Sequence, residues 1–523
     1  MLAPVKSFIC TEDTPVVQTR AGKLRGMILD GVYSFRGVRY AEAERFMSPK
    51  PVSPWEGVVD AQDYGYVSPI LNTPRFRGDI VGPHRYWASS EHCQYLNVWT
   101  DKLDPQAKKP VLFWIHGGGF SDGSSIEMYA YEGENLARDK DVVVVSVNHR
   151  LNILGYLDLS DYGPEFSHSG VVGMEDLVEA LRWVHENIAQ FGGDPENVTI
   201  FGQSGGGGKV QVLMQMPSAD GLYQRAIIQS GVLSSAMNVT KAQAQTQAKA
   251  IVEAIGGIDN LRSKDYFYLA EAVHAVEAQG VRVGWGAVPG CGDYTDLWYD
   301  TGFRPETAQI PVMVGSTLSD FAFGSPVRLA LANKAALTEE ERRAAVRETY
   351  GDAADEIAAL FEAGYPGVNL YYATAVDTMV RVATMEYIAA RSAAVEAPVF
   401  AFMVAHESVF KGGTMSRHCD EIPFVFRNDA GIGAVHGADA AVDAKLREEL
   451  SGAWVNFARS GNPSGGVVPR WTPYTDDCHA TFVFCDTVSE TRIDHDTELV
   501  KLVQKHAPIP PFFAAPMEKK DKK

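Results

Sequence analysis

Cysteine is scarce in this chain: six of 523 residues, with the nearest pair, Cys478 and Cys485, seven positions apart. The cysteines show no metal spacing, and no His/Cys/carboxylate cluster falls at ligand spacing, so no metal and no cofactor is expected. Basic residues are also in deficit. Lys and Arg number 47 against 66 Asp and Glu, a net charge of −19, which leaves no basic stripe to neutralise phosphates and excludes nucleic acid as a partner. No run of ~18 apolar residues exists, so no membrane-spanning helix is expected. The first ten residues, Met1–Cys10, lack a sustained apolar segment and a small-residue cleavage site. With the sparse thiols, this predicts a cytoplasmic, bacterial setting for a monomer or small homo-oligomer. Repeats and low-complexity linkers are absent, and the basic tail Glu518–Lys523 is expected to be a solvated end.

What is present is a large apolar fraction, 46% of residues, enough for a substantial core. Within it, Gly202 to Gly206 form a G-x-S-x-G match around Ser204, preceded by the apolar Val198, Ile200 and Phe201 and followed by a helix expected to start at Lys209. Strand, sharp turn and helix in that order force a serine to project from the top of a sheet. The flanking glycines fit because a Cβ on either side would collide with neighbouring backbone. A flexible glycine-rich loop is the bland alternative, but such loops seldom follow so apolar a strand directly.

Upstream, the buried-strand run Pro110–Ile115 empties into His116-Gly117-Gly118-Gly119-Phe120. Consecutive backbone N–H groups free of side chains can converge on one point and bind an oxyanion. A phosphate loop is the competing interpretation. It would need Lys-Ser/Thr after the glycines or a G-x-G-x-x-G pattern opening a helix, and neither is present.

With both motifs in that order, the chain resembles the type-B carboxylesterases, α/β-hydrolases that include the cholinesterases and the bacterial p-nitrobenzyl esterases. Further matches are Glu91-His92-Cys93-Gln94-Tyr95-Leu96-Asn97-Val98, Asn148-His149-Arg150-Leu151 with Gly155, Gly173-Met174-Glu175-Asp176, Phe191–Thr199, Trp454–Ala458 and Gly461-Asn462-Pro463. Together they span about residues 15 to 475. The resemblance implies an α/β-hydrolase fold: a mostly parallel central sheet flanked by helices, with helical insertions over the active site. It implies a serine esterase acting through an acyl-enzyme on a small-molecule ester, short-chain or aromatic. The disulfide that secreted relatives close at the position of Cys93 has no upstream partner here after Cys10.

The resemblance also orders the triad as serine, acid, histidine. His418 opens His418-Cys419-Asp420-Glu421-Ile422-Pro423-Phe424-Val425-Phe426, like the family's histidine segment. His436 copies only the start of it, in His436-Gly437-Ala438-Asp439, and lies 18 residues before Trp454 where His418 lies 36 before it, nearer the family's spacing. For the acid, aligning Gly315 of Gly315-Ser316-Thr317-Leu318-Ser319-Asp320-Phe321 on the family's strand end puts Asp320 on its glutamate. A turn or cap aspartate is the bland alternative, with Asp300 and Glu306 as fallbacks. Gly118, Gly119 and Gly205 take the three donor positions of the oxyanion hole. Ser230 matches a family serine near the histidine, or is a polar strand terminus. Gln203 replaces the family's glutamate and Gly205 its alanine, so the network beside the triad must differ.

The chain is therefore expected to be one elaborated hydrolase domain over 1–523, with helical insertions at 232–305 and 325–396 forming lid and acyl-pocket walls. Sheet strands are expected at Asn97–Thr100, Val111–Ile115, Val142–Val147, Val198–Gly202, Arg225–Gln229, Val312–Gly315, Val399–Val404 and Thr481–Cys485, with short antiparallel strands such as Leu24–Leu29 and Tyr33–Val38 ahead of them. The alternative from another class is a non-catalytic, cholinesterase-like adhesion protein. Such relatives lose the nucleophile, whereas Ser204, Asp320 and His418 are all kept.

Overall fold

The computed structural model describes residues 7–71, 84–321 and 332–506. The basic tail and the first residues of the 325–396 insertion lie outside that range. Within it the apolar runs form a twelve-stranded sheet. Its strands are β1 (Phe8–Ile9), β2 (Met27–Leu29), β3 (Val32–Arg39), β4 (Tyr95–Thr100), β5 (Lys109–Ile115), β6 (Val143–Val147), β7 (Gly193–Gln203), β8 (Arg225–Gln229), β9 (Val312–Thr317), β10 (Val399–Ala405), β11 (Ala480–Cys485) and β12 (Glu490–Ile493). They lie in the order β1-β2-β3-β4-β6-β5-β7-β8-β9-β10-β11-β12. From β6 through β11 every pairing is parallel, and the strands outside that block pair antiparallel.

The parallel strands are apolar through their buried centres because both of their faces are covered there. Alternate residues point to opposite sides. Phe113, Ile115, Val145, Ile200 and Ile228 join a core with α1 (Val172–Asn187) and α2 (Gly205–Leu213). Leu112, Trp114, Val144, Phe201 and Ile227 join one with α8 (Ala440–Ser460).

Both insertions contain helices among their described residues, the first with a non-helical stretch over 279–297. The first contains α3 (Lys241–Ile255) and α4 (Tyr266–Ala278), whose apolar faces pack on Ile153, Leu154, Leu157 and Phe166. The second contains α5 (Glu339–Tyr350), α6 (Ala354–Gly364) and α7 (Met379–Ala394), packed with Leu318, Met403 and residues of α9 (Thr497–His506). Capping boxes start α3 at Thr240 with Gln243 and α5 at Thr338 with Glu341, satisfying backbone donors that a helix start leaves open.

Two expectations need correction. Leu24–Leu29 is not one strand: Lys23–Arg25 belongs to a separate three-stranded sheet and Met27–Leu29 to the main one. The break is Gly26, where a Cβ would lie 2.5 Å from the Ser34 carbonyl. And α2 begins at Gly205, not Lys209. Four consecutive glycines are poor helix formers, but here the helix packs too closely on the sheet for side chains: a Cβ on Gly206 would sit 2.0 Å from the Ile115 oxygen.

Two of the quoted segments meet in the core. Arg150 makes a buried ion pair with Asp176, its Nη2 2.7 Å from Oδ1 and its Nε donating to Oδ2 at 2.8 Å. Gly173 lies against the Arg150 carbonyl, where a Cβ would approach to 2.5 Å.

Candidate active site

The chemistry-bearing residues collect at the carboxyl ends of adjacent parallel strands β5, β7, β8, β9 and β10, where open α/β sheets bind ligands. β7 ends at Gln203, and Ser204 takes φ 58° and ψ −127° before α2 begins. That left-handed conformation strains any non-glycine residue and persists because its surroundings fix it. The Ser204 N–H donates to the Gln229 oxygen at 2.8 Å, and the Ser204 carbonyl accepts from Gly208 at 3.0 Å. A Cβ on Gly202 would lie 2.4 Å from Gly206 backbone, which accounts for both flanking glycines. In the buried stretch from Phe201 to Val210, Ser204 alone has partial exposure.

β5 leads into the glycine loop. Gly118 and Gly119 have φ of +84° and +64°, and Gly118 accepts from the Asp122 N–H at 3.0 Å in a tight turn. Gly119 presses on the start of α2, so that a Cβ on Gly205 would be 2.2 Å from its oxygen. Among the described residues, the backbone N–H groups of Gly118, Gly119 and Gly205 donate no hydrogen bond. Successive open N–H groups in such a turn make an anion-binding concavity.

Asp320, fully buried on the turn after β9, and His418, 3% exposed on the loop beyond β10, are clamped twice. Their side chains meet through Oδ1 and Nδ1, and the His418 N–H donates to the Asp320 carbonyl at 3.0 Å. The second Asp320 carboxylate oxygen accepts from the Thr317 N–H at 3.3 Å. Gln203 touches the same ring: its Nε2 is 3.3 Å from both imidazole nitrogens, while its Oε1 accepts from the Cys419 thiol at 3.2 Å. The structure thus brings together Ser204, Gln203, Asp320, His418 and the glycine loop. Among the described residues the Ser204 hydroxyl has no hydrogen bond; in substrate-free sites such contacts are often long and tighten on binding.

Ser230 caps β8 with φ 44° and donates its N–H to the Gly315 oxygen at 2.7 Å, while its buried hydroxyl has no partner among the described residues. His436 points elsewhere, its Nε2 2.7 Å from the Asp429 carbonyl. Neither fallback acid serves His418: Glu306 pairs with Arg304 at 3.2 Å, and Asp300 lies in the short helix Trp298–Thr301.

Several neighbours were not assigned to the site from the sequence. The Phe321 ring lies on His418, with centroids 4.0 Å apart. Asp377 accepts backbone N–H groups from Val380 at 2.8 Å, Arg381 at 2.9 Å and Phe321 at 3.4 Å, tying the acid turn to the start of α7. Burial, and then the charge of Asp320, hold its carboxyl above the usual range. Glu421 is pushed up to about 7 by burial, against the pull of a 2.9 Å hydrogen bond from Gln229. Gln229 in turn accepts from the Trp454 indole at 3.0 Å.

This arrangement coincides with a family match over almost the whole chain. The sequence model of the carboxylesterase family matches residues 13–498. The chain belongs to the carboxylesterase family. The esterase is 30% identical over 514 residues to the para-nitrobenzyl esterase of Bacillus subtilis, covering 93% of this chain and 97% of that protein. It is 32% identical over 505 residues to the phenmedipham hydrolase of Pseudarthrobacter oxydans, covering 92% and 97%. Among solved structures it superposes with a TM-score of 0.88 on an esterase of Clostridium hathewayi described as able to hydrolyse aliphatic aromatic polyesters. The identity there is 40%, covering 96% of this chain and 100% of that one. The protein is a carboxylic ester hydrolase of the α/β-hydrolase fold. No helix among the described residues is long and apolar enough to cross a membrane. All six cysteines are free thiols, Cys93 among the buried ones.

Proposed function

We propose that the esterase cleaves its substrate through an acyl-enzyme on Ser204, with His418 as general base and Asp320 as the acid that orients it. The observation carrying this is the His418–Asp320 pair, buried beside a serine held at a strained strand-to-helix turn. Asp320 accepts from Nδ1, which leaves Nε2 to take the serine proton and later pass it to the leaving alkoxide. The carbonyl oxygen, as it becomes an oxyanion, is bound by the N–H groups of Gly118, Gly119 and Gly205. Loss of one such donor typically costs ~2.7–4 kcal/mol of barrier. Asp320 is a methylene shorter than the family's glutamate, and its backbone link to His418 supports the shorter reach. Ser230 and Gln203 support the histidine side of the site.

The helical segments within 232–305 and 325–396 serve as lid and acyl-pocket walls. Substrates are soluble short-chain or aromatic esters; the names of the Bacillus and Clostridium relatives support the aromatic part. The six free thiols fit a reducing compartment.

Ser204→Ala and His418→Ala should reduce hydrolysis of p-nitrophenyl butyrate to the slow residue that an oxyanion hole alone supports. Asp320→Asn should cut kcat heavily in a folded enzyme. Retained turnover in His418→Ala together with its loss in His436→Ala would reverse the histidine assignment.

A further inference from the structure

Lys209 lies five residues after Ser204 on α2 and has no solvent exposure. A buried ammonium is costly unless something nearby uses it. Its Nζ donates to the His116 carbonyl at 3.2 Å, immediately before Gly117, and stands 5.5 Å over the ring of Phe120, immediately after Gly119. Lys209 therefore grips both ends of the glycine loop from below. The helix it grows from carries Gly205, the donor on the other side of the oxyanion hole. We infer that Lys209 is a positioning residue of the oxyanion hole, fixing the Gly118–Gly119 loop against the nucleophile helix so that their N–H groups converge. The inference rests on the oxyanion assignment proposed above.

The groups facing Lys209 are consistent with a held charge. Glu127, itself pushed up to about 7 by burial, and Asp122, both on the segment that follows the loop, favour its proton, while His116 and His149 lie on the β5 and β6 sides. Burial pulls the Lys209 ammonium down to about 7 against the pull of Glu127 and Asp122. Burial first, and Lys209 second, drive His116 and His149, stacked with centroids 5.0 Å apart, well below the usual imidazole range. Both rings are thus held toward their neutral forms, and the other cation acting on His149 is Arg150, which is paired with Asp176. A charged donor holds a carbonyl more firmly than a neutral one, so the grip weakens when Lys209 loses its proton.

Lys209→Met keeps an unbranched side chain of similar length and removes donor and charge. On p-nitrophenyl butyrate it should lower kcat about tenfold or more and leave KM within about twofold, because an oxyanion contact acts on the transition state. A trifluoromethyl ketone that mimics the tetrahedral adduct should lose affinity by the same factor. The unaltered enzyme should lose kcat on the alkaline side as Lys209 deprotonates, and Lys209→Met should lack that limb. A folded Lys209→Met with unchanged kcat and ketone affinity, or one in which only KM rises, overturns the inference. If Lys209→Met does not fold, Glu127→Gln decides: removing a carboxylate that holds the proton should move the alkaline limb to lower pH, and a limb that stays in place overturns the inference. Ser204→Ala in the same assay separates the two levels. Turnover retained there removes the catalytic proposal and this inference with it, whereas a dead Ser204→Ala beside an unaffected Lys209→Met removes the inference alone.

Discussion

Gln203 presents a neutral amide to His418 at 3.3 Å, where the family carries a carboxylate. A negative charge at that distance favours imidazolium. Gln203→Glu should therefore move the acid limb of the pH–rate profile to higher pH by about one unit, since only neutral imidazole accepts the serine proton. A limb that does not move would mean the amide is shielded from the ring. At this scale, Ser204 and the glycine loop were legible because each sits in a run of residues whose neighbours fix its geometry, whereas His418 rested on the resemblance of its segment to the family's. Asp320 rested on counting from Gly315, and its buried contact with His418 is what strengthens it. Asp377, Phe321 and Lys209 were not legible. Asp377 and Lys209 act through partners far away in sequence, and Phe321, though next to Asp320, matters only because the fold lays His418 over it.

The helix α2 shows the same limit for an element. Its glycines read locally as a turn, and only the approach of the sheet reveals why a helix needs them. Gly206→Ala, whose Cβ would lie 2.0 Å from the Ile115 oxygen, should destabilise the fold by about 3 kcal/mol or more and abolish activity. Gly433→Ala, with nothing within 4 Å of its Cβ, should leave melting temperature and kcat in place. Equal effects of the two would mean that α2 can retreat from the sheet. The central strands were readable because parallel strands covered on both faces are continuous apolar runs. The edge strand β12, Glu490–Ile493, was missed: its ends are exposed, its middle is half-buried, and it carries no such run. The split at Gly26 was missed because the carbonyl that excludes a side chain there belongs to the next strand.

At the scale of the molecule, two buried ion pairs bind distant segments: Arg150–Asp176 under the sheet, and Arg381–Asp496 between α7 and the turn before α9. Burial works to raise the Asp496 carboxyl, but Arg381, at 2.8 Å, and His495 outweigh it and hold it at about 2. A folded-state value below the unfolded one, about 4, gives stability that is present above that value and fades as pH falls from about 4 to about 2. Arg381→Met leaves that carboxylate buried without its partner and should cost about 3–5 kcal/mol, read as a lower urea midpoint at pH 7; an unchanged midpoint would contradict the pair's role. In the proposed mechanism the ester's acyl group passes through Ser204. The most direct test is inactivation with one equivalent of a p-nitrophenyl phosphonate, followed by peptide mass spectrometry. One adduct per chain is expected, on the peptide bearing Ser204, formed in step with loss of activity, at the same rate with EDTA present, and absent in Ser204→Ala. An adduct on another residue that tracks the loss of activity, or inactivation with Ser204 unmodified, would contradict it.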